Sequence, residues 1–471
     1  MFGDALTPVK KERGSFAHLW WLNPIWPLAL MLLCTGYAAY VIPYADYVAN
    51  WKTPKYLNGD DLRFICQCVA GFAGAGFLVS LLFKSQPPAF GEVLRNDPRI
   101  PWPTLWFVFR VGYILTVLAY VIWVALAAQA GLSTADLMAA LHNDPEAAYI
   151  IRDKTDTLPG VTTFTQVAMA VVLLGTLLGF KFGWKKNLVS VVLPLTVVLG
   201  LAVIRARFRD ERIAVLELVV PMGILGLALL RTEKWPAFWR GGLASLPFVA
   251  PIGLYLFFSA AEYSRSWVNF YQEQGESSFF WFTFTRLVGY YVTALNNGAC
   301  FVQTIGRFKV PYHSLEWFWK LPPVKTLYPY PGSPDREPLD GYVDILRQKL
   351  NPELNNSSGV FVLQLDYGYL GGIAAWCVVG AIAMLLYRLF RQGSVAGLLL
   401  YPLFYVGLLE SPRILYWTAS RSFASWVMLL GVVVLIALAR QGDWRKRRSL
   451  TPVQPSTTKP ALVRRPARRG L

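Results

Sequence analysis

Long apolar runs separated by short charged segments set the pattern of this chain. A bilayer crossing needs roughly 20 mostly apolar residues. Ten stretches meet that requirement: 22–43, 62–83, 104–128, 161–181, 188–204, 213–231, 243–262, 366–387, 395–411 and 421–440. Lys and Arg in the short connections set the orientation, because positive loops stay in the cytoplasm. With the N-terminus inside, Lys84, Arg95, Arg99, Lys181, Lys185, Lys186, Arg231, Lys234, Arg240, Arg388 and Arg391 all fall on the cytoplasmic side, as does the C-terminus. The expected fold class is an all-α polytopic membrane protein.

The pattern divides the chain into four parts. Residues 1–262 form a transmembrane bundle of about seven helices, and 263–365 a large external loop containing short helices. Residues 366–440 supply about three more helices, and 441–471 a basic tail. Smaller external segments are 44–61 and 129–160. In the second, Leu137, Leu141, Ala148 and Ile151 recur at helical spacing, which predicts an amphipathic helix on the membrane surface over 134–153.

Composition agrees with this picture. Of 471 residues 55% are hydrophobic and 15% charged, against about 25% charged in soluble domains. The formal net charge is +17, but it is unevenly spread. The segment from Arg440 onward holds ten Lys or Arg against Asp443. A Pro-rich basic tail beside a last helix suits anionic headgroups at the cytoplasmic face. No nucleic-acid-binding module accompanies it, so nucleic acid is not an expected partner. Five cysteines give no disulfide framework, and no zinc spacing, Walker motif or serine-nucleophile elbow is present.

Two departures from the positive-inside pattern hold the candidate chemistry. After the fifth span comes Arg205-Ala206-Arg207-Phe208-Arg209-Asp210-Glu211-Arg212, on the external side. It reads either as snorkelling ends paired with Asp210 and Glu211 or as a clamp for phosphate or diphosphate, which the planar guanidinium fork suits. Glu217 lies in the sixth span and Glu410 near the end of the ninth, followed by Arg413 and Arg421. Ionisable residues inside spans are costly and mark candidate sites. Structural pairing with Arg212 and Arg413 is the alternative for the two glutamates. In the long loop, Arg286 precedes Gly298 and Arg347 precedes Gly359, with Asn296-Asn297 and Asn355-Asn356 just before the glycines.

The chain resembles the Wzy-type oligosaccharide repeat-unit polymerases, which lengthen O-antigen, capsule and exopolysaccharide chains. The resemblance covers most of the chain. It rests on Leu22-Asn23-Pro24, on Pro159 to Gln166, on Arg205 to Glu217, on Arg286-x-x-x-Tyr290-Tyr291, and on Leu354-Asn355-Asn356 leading to Asp366 through Gly371. Family members with paired Arg/Gly motifs space them by ten residues, whereas this chain uses eleven. The resemblance implies a GT-C-like bundle in the bacterial cytoplasmic (inner) membrane and two substrates, both glycans on undecaprenyl diphosphate. An acceptor hydroxyl attacks the donor's anomeric carbon and undecaprenyl diphosphate leaves.

On that reading Arg205, Arg207, Arg209, Arg286, Arg413 and Arg421 bind diphosphate. Arg209, Arg212 and Arg286 act in catalysis, with Glu217, Glu410 or His313 as base. Tyr290, Tyr291, Asn296, Asn297, Arg347, Asn355 and Asn356 hold the glycan. The leaving group is already activated, so no metal or other cofactor is expected. Expected partners are the lipid-linked glycans, membrane lipids, and the chain-length regulator and flippase of the same pathway. Three other functions compete. One is O-antigen ligase-like transfer to lipid A core, in which a loop histidine acts. A second is a metal-dependent lipid-phosphate glycosyltransferase using Asp46 or Asp60-Asp61. The third is a transporter of lipid-linked sugar.

Overall fold

The computed structural model describes residues 17–82, 100–141, 150–151, 161–208, 213–230, 232–263, 267, 271, 278–308, 310–327 and 338–450. Among these residues there is no strand, and eighteen α-helices follow in order. They are α1 Ile25–Val41, α2 Tyr44–Trp51, α3 Gly59–Leu82, α4 Trp102–Gln129, α5 Thr134–Leu141, α6 Val161–Thr165, α7 Ala168–Phe182, α8 Leu193–Phe208 and α9 Ile213–Leu229. Then come α10 Ala237–Ala244, α11 Leu246–Glu262, α12 Phe279–Ile305, α13 Glu316–Trp319, α14 Pro322–Leu327, α15 Pro338–Lys349, α16 Phe361–Arg391, α17 Val395–Glu410 and α18 Ser420–Leu450.

Six spans, at 59–82, 102–129, 163–182, 185–206, 361–391 and 420–439, are long and apolar enough to cross a membrane. The number rises to eight if the bent pairs α1/α2 and α10/α11, turned by 102° and 66°, each make one span. The chain is thus an all-α membrane protein. The other two expected spans are present as shorter apolar helices, α9 with 17 residues and α17 with 16.

The innermost helices are α7 and α17. Both are apolar around their whole circumference, so they have no face suited to water and only neighbouring helices to cover them. Eight consecutive residues of α17, Leu398 to Tyr405, are all buried. Close approach is set by glycine where α3 meets α16. A Cβ on Gly71 lies 2.9 Å from Cys377 Sγ, and one on Gly380 runs into the Phe72 backbone. Gly71 and Gly76 face α16, while Gly74 faces nothing within 4 Å.

The segment 263–365 differs from the expected external loop of short helices. It contains α12, a 27-residue helix capped by Ser278, whose hydroxyl accepts from Trp281 N. From Val292 to Phe301 α12 is buried and packs on α1, α11 and α16. Its buried face mixes Thr, Asn, Gly and Cys with Val, Ala, Leu and Phe, so it does not read as a span in the sequence. The amphipathic helix expected over 134–153 is observed as α5, with Ser133 and Asp136 in a reciprocal cap, the Ser133 N–H and hydroxyl both donating to Asp136 Oδ2 at 2.8 Å. Residues 142–149 of that expectation lie outside the described residues.

Candidate functional site

Four helix ends meet at one end of the bundle: the last turn of α8, the first of α9, the last of α17 and the first of α18. Each brings a charge that its neighbours partly neutralise. Arg421 Nε lies 2.7 Å from Glu217 Oε1, joining α18 to α9. Arg413 Nη1 lies 2.9 Å from Glu410 Oε2. Arg205 Nη1 donates to Thr165 Oγ1 at 2.8 Å, joining α8 to α6. Both glutamates are buried, at 5% and 8% exposure, whereas the side chains of Arg413 and Arg421 retain 21% and 26%. Among the described residues three arginines stand here with two glutamates; Arg413 and Arg421 keep part of their side chains exposed, and Arg205 is buried. Arg413 also lies over the rings of Tyr290 and Tyr291, 5.6 and 5.7 Å from their centroids, a geometry that holds a guanidinium flat. Burial opposes the charge of Arg413, but Glu410, Tyr291 and Tyr290 together outweigh it and raise its pKa.

Between the two ion pairs sits Tyr416, a residue with no signal in the sequence. Its hydroxyl donates to Met169 Sδ at 3.1 Å. Burial first, and the Glu217 carboxylate second, push its pKa well above the ordinary phenol value, so it remains a hydrogen-bond donor. The turn carrying it is fixed from below. The Trp417 indole donates to Phe404 O at 2.9 Å, and Ser422 Oγ donates to Tyr416 O at 2.8 Å.

Glu217 therefore pairs with Arg421. Arg209 and Arg212 lie outside the described residues, as does the side chain of Arg207. Arg286 is placed elsewhere than a diphosphate clamp needs. Its Nε is 3.2 Å from Glu262 Oε2 and its Nη1 3.1 Å from Glu353 Oε2. Glu262 is fully buried, and the guanidinium also faces Tyr271 and Phe282 at 5.9 Å. One arginine between two carboxylates is already neutralised, so Arg286 ties α11 to α12 and the 3-10 turn at Pro352–Leu354.

The amides expected to meet sugar have structural tasks. Asn296 Oδ1 accepts from Tyr56 N and Leu57 N at 2.6 and 3.1 Å, and its Nδ2 donates to Pro54 O at 2.9 Å. Asn297 Nδ2 donates to Leu354 O and Asn356 O at 2.6 and 3.0 Å. Both residues are at most 1% exposed, so neither presents its amide to a glycan. The two Arg-to-Gly motifs instead pack on each other: a Cβ on Gly298 meets Phe361 and Ser358, and one on Gly359 meets the carbonyls of Ile414 and Ser411. Ser358 N donates to Arg413 O at 2.9 Å. Asn297 thus fixes the 354–359 segment, which in turn fixes the backbone of Arg413. Asn355 is exposed, Asn356 half-buried, and Arg347 exposed on α15.

His313 is buried at 8% exposure beside the rings of Phe308 and Tyr312. Burial lowers its pKa below the ordinary imidazole value although Asp366 pulls the other way. Asp366, fully buried, gathers the backbone N–H groups of Tyr312, His313 and Ser314 and the Ser314 hydroxyl at 2.7–3.1 Å. Two residues later Gly368 adopts φ +76°, breaking α16 just past this clamp. Of the aspartates weighed for a metal, two have partners. Asp60 pairs with Arg63 at 3.3 Å, and Asp61 accepts from Asn58 N and Gln303 Nε2. Comparison with protein-family models, with curated proteins and with solved structures finds no match.

Proposed function

We propose that this chain is a glycosyltransferase of the Wzy polymerase type. On this reading it joins oligosaccharide repeat units carried on undecaprenyl diphosphate, at the external face of the bacterial inner membrane. The observation that supports it most is the convergence of Arg205, Arg413 and Arg421 with Glu217, Glu410 and Tyr416 where four helix ends meet. On this reading that end lies outside and both termini in the cytoplasm, which the positive-inside distribution supports, and about ten spans form the GT-C-like bundle that the resemblance implies.

The chemistry needs a fixed positive surface where a diphosphate gathers charge as it departs. Preorganised guanidinium groups provide it without reorganisation at the moment of reaction. The acceptor hydroxyl forms a bond to the donor's anomeric carbon while the bond from that carbon to diphosphate oxygen breaks. Its proton passes to a carboxylate at the same surface, and Glu410 and Glu217 are the two placed there. Arg286, Asn296 and Asn297 hold the scaffold that carries Arg413. The test is mass analysis of lipid-carrier glycans after purified protein meets single-repeat substrate. A ladder of multiples supports a polymerase, and unchanged single repeats contradict it.

A further inference from the structure

A groove of about 350 Å³ runs between α4, α6 and the first turns of α18. Val111 and Leu115 of α4, Phe164 and Val167, and Ala424 and Met428 of α18 form its walls. Among the lining residues Thr163 supplies the one polar side-chain group. The groove is open sideways: Leu115, Phe164 and Val427 are 37%, 46% and 53% exposed. Its volume is within the range of small-molecule sites, roughly 300–1,000 Å³, and suits part of one hydrocarbon chain.

Charge lies just beyond one end of this groove, outside its lining residues. Arg421, Ala424 and Met428 stand at i, i+3 and i+7 on α18, so Arg421 continues the wall's stripe by one turn, with its guanidinium on Glu217. Thr165, between Phe164 and Val167, accepts the hydrogen bond from Arg205. The wall is also built in advance. Ser425 Oγ donates to Gln166 O at 2.6 Å and accepts from Ala170 N at 3.2 Å, so a hydroxyl of α18 fills the break between α6 and α7. Beside it, Trp317 of α13 stacks on Phe423 with ring centroids 4.6 Å apart and planes 9° from parallel. The segment expected to meet glycan therefore touches the groove at its arginine end.

We propose that this groove binds the polyisoprenoid chain of the diphosphate carrier, entering sideways from the bilayer, with its head at Arg205 and Arg421. The assignment deepens the proposed function and rests on it. A single apolar chain ending in an anionic head matches an apolar slot with guanidinium groups just beyond its end. A diacyl phospholipid brings two chains to one head and leaves one outside.

The test uses full-length protein in phosphatidylcholine nanodiscs and undecaprenyl diphosphate bearing a diazirine along the chain. The expected cross-links fall within 107–115, 163–167 and 423–428, are competed by unlabelled undecaprenyl diphosphate, and survive excess phosphatidylglycerol. Val111→Trp and Ala424→Phe cut labelling at least tenfold with an unchanged size-exclusion profile. The wild-type cross-link map stands by itself if either variant fails to fold. Labels elsewhere, with ladder synthesis intact, overturn the groove assignment and leave the polymerase reading standing. Equal competition by phosphatidylglycerol makes the groove a general lipid site and also overturns it. Absence of both labelling and ladders removes the assignment and the polymerase reading together.

Discussion

Two buried arginine clusters in this protein are built from the same residue types and do opposite things. Around Arg286, one guanidinium sits between Glu262 and Glu353, and nearby amides are spent on backbone carbonyls and N–H groups. Around Arg421, three arginines stand with two glutamates among the described residues, and the side chains of Arg413 and Arg421 stay 21% and 26% exposed. The first arrangement is closed and joins helices. The second leaves part of two arginine side chains exposed. Exposure of the cluster, rather than an arginine near a membrane surface, separates a brace from a candidate binding surface.

The largest expected effect comes from breaking the open cluster. Arg421→Ala lowers the rate of glycan elongation per folded molecule by about 10²–10³, the usual cost of removing one preorganised donor from a transition state. Arg421→Lys recovers little of it, since the ammonium lacks the planar fork. Elongation rates from gel-resolved carrier-linked glycans measure both.

The closed cluster answers in stability. Glu262→Ala leaves Arg286 buried with Glu353 alone and costs about 3 kcal/mol, at the lower edge of the range for a broken buried pair. Asn297→Ala strands two buried carbonyls and costs about 1–3 kcal/mol. Denaturation midpoints in detergent check both, and the specific rate of the surviving folded fraction changes far less than for Arg421→Ala.

A smaller effect comes from His313. Burial lowers its pKa, so the unfolded chain takes up a proton at a higher pH than the folded chain does. This contribution to stability is complete above the unfolded value of about 6.5 and declines as pH falls from there toward the lower folded value. His313→Gln flattens the dependence of the denaturation midpoint between pH 7 and 5. Smallest of all, Arg347→Ala on exposed α15 shifts stability by no more than about 0.5 kcal/mol.

The apolar spans were legible because a run of some twenty apolar residues has few readings other than a membrane helix. Glu217 and Glu410 were legible for the converse reason, as charges that lipid does not tolerate. Glu410 with Arg413 is an i, i+3 pair visible in the sequence, whereas Glu217 meets Arg421 only through the packing of α9 near α18. The rule that picked out Glu217 applies equally to Glu262 at the end of α11 and Asp366 in α16, and both prove buried and bonded. Tyr416 carries no such mark among 23 tyrosines. Helix α12 stayed hidden because amides satisfied by distant backbone look the same in a sequence as amides awaiting a ligand.

The most direct measurement counts undecaprenyl diphosphate released per glycosidic bond formed by purified protein, with Arg421 intact and replaced by alanine. The account predicts one carrier diphosphate per bond in the wild type and loss of both signals together in the variant. Bond formation that continues at the wild-type rate without Arg421 contradicts it.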